Sequence, residues 1–381
     1  MKPPTPRSQE FVDIVRKLMP EFEDLADQIE RDEHIPDRVW ELMRDNALMV
    51  MTLPEEWGGR GLTVAEYVPV LQEVSKISGA LRMIVHGANG MWRLIEHWGT
   101  PEQKAQWLPV IAAGKVVTFG LTEPGNGTGR DISTTAVRDG DEWVLNGRKQ
   151  WISWAGSAEV IHFIAATGKD ESGGNTATCF LLPKNTPGVT CTPMPSTMGC
   201  KGIHHDYMDL HDVRLPAESV LGGVDQGLYL GLRGFLDISR LGIAISALGL
   251  AMRSLEMATE FAKTRVTFGK PIATRQAVKL AIAEMASEIY AVDHAVMAAA
   301  HSFDAGESIE AEAAMCKLLA IEMVGHVTDR AMRMHGGLGY CEVFKMERHY
   351  RDARALWFEE GTAEIQKIVV ANNVLKDGVT W

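Results

Sequence analysis

Apolar residues along FVDIVRKLMPEFEDLADQI recur at three- and four-residue spacing, the period of an amphipathic helix. Pro36 opens a second such pattern, DRVWELMRDNALM, so the chain reads as helical from about Ser8 to Ala113. A loop punctuated by Gly and Pro, LPEEWGGRG at Leu53–Gly61, interrupts it. From about Val116 to Gly222 the texture changes to strands. Trp143-Val144-Leu145, Val160 to Ile164 and Thr178 to Leu182 are β-rich runs, while Asn146-Gly147 and the NTPG at Asn185–Gly188 read as turns. Strands at this spacing predict a compact sandwich or barrel. After Gly227 the helices return and lengthen: one from about Arg240, one from Thr274 to Phe303, one from Ile309 to about Met334. Helices this rich in Ala, Leu and Met must be buried nearly all round, against one another or against another subunit.

The expected architecture is therefore α+β, mostly α, in three domains: 1–115 helical, 116–226 a β-barrel or sandwich, 227–381 a helical bundle. The length of 381 residues allows roughly two or three domains at about 150 residues each, enough to bury several cores without disulfides or a structural metal. A formal net charge of −12 leaves no electrostatic footprint for nucleic acid or an anionic membrane. Five scattered cysteines without a Cys-x-x-Cys pair read as reduced thiols. The N-terminus lacks the apolar core of a signal peptide, and no apolar run approaches the ~20 residues of a membrane span. The expected location is the cytoplasm.

Generic signatures of chemistry are missing. There is no P-loop and no nucleophile elbow. The run Gly125-Asn126-Gly127-Thr128-Gly129 is Gly-x-Gly-x-Gly and follows no suitable strand–helix pattern, which argues against a Rossmann site. A di-metal bundle needs two Glu-x-x-His motifs on helices. One is present, Glu159–His162, in strand-like sequence, so no metal is expected. His204 and His205 point to opposite faces of a strand and read as satisfied or surface histidines.

Leu121-Thr122-Glu123-Pro124-Gly125-Asn126-Gly127-Thr128 resembles the signature of the acyl-CoA dehydrogenase family, V/L-T-E-P-G-A-G-S-D. Downstream, Asn146-Gly147-Arg148-Lys149-Gln150-Trp151-Ile152-Ser153 resembles its N-G-x-K-x-W-I-T/S, and Arg265 to Lys270 its R-x-x-F-G-K. Gln276, the His335–Gly339 turn, Arg351-Asp352-Ala353-Arg354 and Glu360-Gly361-Thr362-Ala363-Glu364-Ile365-Gln366 follow in the family's order. The resemblance spans essentially the full length. It implies an N-terminal α domain, a middle β domain and a C-terminal four-helix domain. It further implies FAD as cofactor, oxidation of an acyl-CoA to the trans-2-enoyl-CoA, an electron-transferring flavoprotein as acceptor, and a homotetramer.

By resemblance Glu360 is the base that takes the α-proton. Its own N–H and a ribityl hydroxyl of FAD would hold the thioester oxygen, with the β-hydride passing to flavin N5. Burial beside an apolar acyl chain should raise its pKa toward neutrality. Phe119, Leu121 and Thr122 would border the flavin ring, with Trp151 and Ile152 packed against it, and Ser153 would offer its hydroxyl to N5. Gly127 and Thr128 would lie between FAD and the thioester arm. Arg265, Thr267, Phe268, Gln276, Arg333, Gly336 and Gly337 would hold the adenosine diphosphate half, partly across a subunit interface, with Thr362 and Glu364 completing it. Asp237, Arg240 and Gly361 would meet the substrate, although Asp237 and Arg240 also suit an intrahelical ion pair.

Some members carry the base on another helix, at a place matching Ser239, which is no carboxylate. Three departures stand out. The family's acid moves to Asp131 behind an added Arg130, which meets a phosphate or faces solvent. Met198 to His205 replaces a segment that is usually small and polar. Arg82 lies near where some members hold a substrate carboxylate, but its spacing to Gly99 is off by about one residue, so it reads as a surface arginine. The alternatives are a flavin oxidase, monooxygenase or reductase of the same fold, a non-catalytic flavin-bearing partner subunit, and a DNA-associated relative.

Overall fold

The structure is a computed structural model that describes residues 5–125 and 131–379. Six helices come first: α1 (Pro6–Asp32), α2 (Asp37–Asp45), α3 (Val64–Ser75), α4 (Gly79–Gly90), α5 (Trp92–Trp98) and α6 (Pro101–Ala112). Their starts are written locally. Thr5 accepts from the Ser8 N–H with Pro6 in the first turn, and Thr63/Glu66 and Thr100/Gln103 form capping boxes, each satisfying otherwise orphaned backbone donors. The apolar stripe of α1 buries Phe11, Val12, Val15, Phe22 and Ile29.

Eight strands follow: β1 (Val117–Gly120), β2 (Thr135–Asp139), β3 (Glu142–Ser153), β4 (Val160–Lys169), β5 (Asn175–Pro183), β6 (Val189–Pro193), β7 (His205–Pro216) and β8 (Val220–Leu221). They run in the order β6-β7-β3-β2-β4-β5-β8, with β1 added in parallel to β4. A single rung, Thr135 to Ala166, joins the two halves of this sheet. A separate core closes between them: Leu145, Met208 and Leu210 from one half meet Ile161, Phe163, Phe180 and Leu182 from the other. That is the sandwich-like packing expected from the strand spacing.

Asn146-Gly147 is not a turn. It is a bulge inside β3, where the register against β7 shifts between Leu145 and Gly147. Gly147 sits at φ +148°, with Thr134 Cα 2.6 Å from where a Cβ would stand. The Asn146 amide donates to Asp212 Oδ1 (3.1 Å) and accepts the Asp212 N–H (2.8 Å), so the asparagine ties two strands together. The hairpin between β2 and β3 turns instead at Gly140, at φ +61°.

The remaining elements are α7 (Gly227–Gly231), a π-helical stretch at Leu232–Leu236, α8 (Asp237–Thr264), the hairpin β9 (Val266–Thr267) and β10 (Lys270–Pro271), α9 (Gln276–Asp304), α10 (Glu310–His335), α11 (Met346–Ala355) and α12 (Ala363–Asp377). Helix α8 is buried along almost its whole first half. The stretch Gly227–Thr264 is long and apolar enough to cross a membrane, a feature the search for a continuous apolar run misses because Gly and Ser are scattered through it. Its most apolar window is 83% buried inside the protein, packed against α10, α9 and α3. Asp352 of α11 accepts the N–H of Gly79 (2.8 Å) at the start of α4 and of Cys200 (2.6 Å) in the loop before β7. One carboxylate thereby locks the three regions together beside the site described next.

Candidate active site

Glu360 lies in the turn between α11 and α12 at φ +52°, followed by Gly361 at φ +91°. A left-handed conformation costs a non-glycine residue roughly 1–2 kcal/mol, so something must hold it. Lys317, fully buried on α10, donates from Nζ to the carbonyls of Glu359 and Gly361. The Gln366 amide donates to the carbonyls of Glu360 (3.0 Å) and Gly361 (3.2 Å). Every carbonyl of the Glu359-Glu360-Gly361 turn is thus taken by a side chain from α10 or α12.

The charges around this turn divide the two glutamates. Glu359 forms a bidentate pair with Arg82 of α4, Nη1 donating to Oε2 at 2.6 Å and Nη2 to Oε1. Burial pushes the Glu359 carboxyl up, and the charge and hydrogen bonds of Arg82, with His86 and Lys317, together more than offset it, leaving the group below its ordinary range. Glu360 forms no ion pair with an arginine among the described residues, although the Arg240 charge also favours its ionised form. Burial raises its pKa, opposed by a hydrogen bond from Ser239 and by the Lys317 charge, while the neighbouring Glu359 charge adds to the rise. Lys317 is held below the ordinary lysine range, chiefly by burial. Ser239 of α8 also bonds His86 Nε2 of α4 at 2.8 Å. Burial and then the Arg82 charge push that imidazole down to about 4, so it is neutral at pH 7.

A second polar group lies on β3. Its register against β7 shifts between Lys149 and Ile152, and Trp151 occupies the bulge at φ +61° with 49% of its surface exposed. The indole is held out of the core while Ile152 beside it is buried. Ser153 Oγ pairs with His205 Nδ1 at 3.1 Å, and the His205 ring meets the Trp151 ring edge-on at 5.5 Å. Burial lowers the His205 pKa, and the Glu359 charge opposes it most strongly, which ties this face to the Glu360 turn. The loop in front is braced from below. Glu123 and Lys149 form a buried pair at 2.7 Å. Glu123 also accepts from Ser133 N and Oγ (2.6 and 2.7 Å) and Thr134 N (3.0 Å). Lys149 reaches the Leu121 carbonyl (3.0 Å), and the Gln150 N–H donates to the Thr122 carbonyl (2.9 Å). Phe119 packs on Phe235 with ring centroids 5.5 Å apart.

Several expected residues stay at the surface. Arg265, Gln276, Thr362 and Glu364 are exposed, and Arg333 pairs with Asp329 (2.9 Å). Thr267 precedes a turn in which Phe268 (φ +50°) and Gly269 (φ +76°) are both left-handed, and Phe268 is 96% exposed. Gly336 and Gly337 have no atom within 4 Å of where a Cβ would stand, leaving open backbone of the kind a pyrophosphate approaches. The Phe261 ring of α8 lies 4.5 Å from that of His335, bringing the ends of α8 and α10 together. A solvent-facing indole beside a serine hydroxyl, with open glycine backbone elsewhere, fits the flavin and diphosphate ends of FAD.

Other expectations are corrected. Arg82 is no surface arginine: it is fully buried, with its guanidinium committed to Glu359. Asp237 and Arg240, expected to meet the substrate, are buried and also bond each other (3.2 Å), so the intrahelical pair is present without excluding that contact. His162 is buried on β4 with neither ring nitrogen bonded and a pKa pushed down to about 3. Gly127, Thr128 and Arg130 lie outside the described residues. Lys317, His86 and the role of Arg82 escape sequence reading. Their signal was present as a lysine inside AAMCKLLAIEMV, and as Arg82 and His86 one helical turn apart in an apolar helix.

Models of the acyl-CoA dehydrogenase N-terminal, middle and C-terminal domains match residues 5–115, 118–213 and 225–375. The 3-(aryl)acrylate reductase of Clostridium sporogenes is 33% identical, over 96% of this chain and 98% of that protein. The mitochondrial short-chain specific acyl-CoA dehydrogenase of Bos taurus is 36% identical, over 92% of this chain and 86% of that protein. The solved butyryl-CoA dehydrogenase of Megasphaera elsdenii superimposes with a TM-score of 0.91 at 30% identity, covering 99% of this chain and 100% of that one.

Proposed function

The chain belongs to the acyl-CoA dehydrogenase family of FAD-dependent oxidoreductases, and from that premise we propose that it dehydrogenates a short acyl-CoA at Cα–Cβ with Glu360 as base. The observation that carries this reading is the Glu360 turn. A carboxyl of raised pKa is held at φ +52° by Lys317 and Gln366, while its neighbour Glu359 is neutralised by Arg82. A proton α to a thioester is weakly acidic, so a base raised toward neutrality by burial takes it more readily than an ordinary carboxylate. Lys317 and Ser239 keep that carboxyl ionisable despite burial, and the Glu360 N–H is one donor to the thioester oxygen. FAD, when bound, supplies the acceptor for the β-hydrogen as hydride. Trp151, Ile152 and Ser153, with Phe119, Leu121 and Thr122 in front, orient its ring. The resemblance assigns Gly127 and Thr128 to the junction of flavin and thioester. Arg265, Thr267, Phe268, Gln276, Arg333, Gly336, Gly337, Thr362 and Glu364 take its adenosine diphosphate half, and Gly361 borders the substrate.

The three regions act as three domains. The acceptor is an electron-transferring flavoprotein, and the assembly is a homotetramer in the cytoplasm. Apolar side chains left exposed on the C-terminal helices, Leu280 and Tyr290 on α9, Leu319 on α10, Ile368 and Leu375 on α12, support further subunit packing. Five unpaired thiols suit a reducing compartment. The name of the Clostridium sporogenes relative favours a second reading, the reductive direction, in which Glu360 returns a proton to Cα.

The test is flavin absorbance and a panel of acyl-CoAs with an artificial electron acceptor, alongside Glu360→Gln. The variant should keep its flavin and lose about 100- to 10,000-fold in rate. Full dehydrogenation by the flavin-loaded variant would overturn the assignment, and failure of every acyl-CoA to bleach the flavin anaerobically would overturn the thioester reading.

A further inference from the structure

Which acyl groups fit depends on what lies beyond the base. If Glu360 takes the α-proton, the acyl tail continues from its carboxyl into whatever space the surrounding helices leave. On one side the turn is closed by Lys317 of α10, and on another by the buried Arg82–Glu359 pair. The way on is the seam between α4 and α8, and its first group is the buried Ser239 hydroxyl that bonds Glu360.

His86 stands in that seam. Its Nε2 lies 2.8 Å from Ser239 Oγ. Gly242, one residue short of a full turn further along α8, lies under the imidazole, and a Cβ there would stand 2.3 Å from ring atoms Cε1 and Nδ1. The ring therefore fills the gap between the helices at the one place where a glycine lets it approach. The ring itself lines a cavity of only about 20 Å³, together with Val64, Tyr67, Arg93, Ile238 and Ile245. That volume holds one water and no alkyl chain. The Arg93 Nε is buried there without a partner among the described residues.

We infer that His86, seated on Gly242 and fastened to Ser239, is the stop at the end of the acyl site and restricts the enzyme to short acyl groups. A longer tail would have to displace a bonded, buried imidazole, because the space beside that ring does not hold an alkyl chain. The restriction is one of bulk, so a side chain of similar size keeps it and a smaller one releases it. Removing the imidazole joins the site to that cavity and makes room for further methylenes.

The inference rests on Glu360 as base, and the experiment separates the two. Flavin reduction by butyryl-, hexanoyl- and octanoyl-CoA is compared in the wild type, His86→Ala, His86→Ser and His86→Gln, each checked for bound flavin. The wild type should favour butyryl-CoA over octanoyl-CoA. His86→Ala should raise the hexanoyl-to-butyryl ratio of kcat/KM by roughly 15-fold, two methylenes at about 0.8 kcal/mol each. His86→Ser opens the same space and should behave alike, so the reading survives if one variant folds poorly. His86→Gln should keep the wild-type profile. An unchanged ratio in flavin-loaded His86→Ala or His86→Ser, or equal use of octanoyl- and butyryl-CoA by the wild type, overturns the stop and leaves the base intact. No reduction by any of the three in the wild type overturns the base reading, and the stop with it.

Discussion

Replacing Lys317 by methionine keeps the length of the side chain and removes its charge and its three donors. The Glu359 carbonyl loses the donor it has among the described residues, while Gly361 keeps Gln366 at 3.2 Å. An orphaned buried carbonyl costs about 1–3 kcal/mol, comparable with the roughly 1–2 kcal/mol needed to hold Glu360 in the left-handed region. The turn is then no longer held firmly, and the carboxyl loses its alignment. The second effect is electrostatic. The Lys317 charge favours the ionised form of Glu360, so its loss raises a pKa that burial has already raised. Each unit of rise is about 1.4 kcal/mol and lowers the ionised fraction about tenfold on the acid side of the profile. Lys317 and Glu360 titrate as a pair, so the limb of the profile belongs to both. The assay is the rate of flavin bleaching by substrate, and of α-hydrogen exchange into deuterated water, each as a function of pH in flavin-loaded enzyme. The acid limb should move to higher pH, and the rate at neutral pH should fall. A profile that overlays the wild type, or an acid limb that moves to lower pH, would refute the role given to this ammonium.

Two further outcomes follow from the pair beneath the flavin loop. Lys149→Met leaves Glu123 buried and uncompensated, a loss of about 3–5 kcal/mol. Three other donors to Glu123 place it at the low end, and flavin affinity should fall with stability, both read by denaturant titration and flavin release. The double variant with Glu123→Gln should recover most of that loss; a double variant as unstable as the single one would show that the charge is not the cause. The same pair predicts acid sensitivity. The Glu123 carboxyl is pushed up by burial and pulled down further by Lys149, to about 2. A folded pKa below the unfolded one stabilises above the unfolded value, near 4.5, and the contribution drains away as pH falls toward 2. It amounts to about 2–3 kcal/mol, and Glu123→Gln should flatten the acid limb of the melting temperature between those values.

Much of the site was legible residue by residue. The Glu360 turn, the Trp151–Ser153 segment and the glycines at Gly336 and Gly337 were singled out from short motifs. Each motif is local, because a turn or a bulge is set by a few neighbouring residues. The partners of those motifs were not legible. Arg82 meets Glu359 across 277 positions, Ser153 meets His205 across 52, and Lys317 reaches the turn from 42 and 44 positions away. Asn146-Gly147 shows the same limit from the other side. Its dipeptide chemistry suits a turn, but pairing with Asp212 and the close approach of Thr134 make it a bulge.

By itself the sequence determined the succession of helical, strand and helical regions, since hydrophobic period is a one-dimensional property. It also determined the family and singled out the carboxylate proposed as base. The tertiary structure decided which charges are buried, what neutralises them, and how much room lies beyond the base. Those depend on distances between α4, α8, α10 and the turn before α12, and burial reverses the meaning of a side chain that the sequence leaves looking ordinary. Arg82 is the clearest case: read along the chain it is a surface arginine, and in the fold it is the buried counter-ion of Glu359.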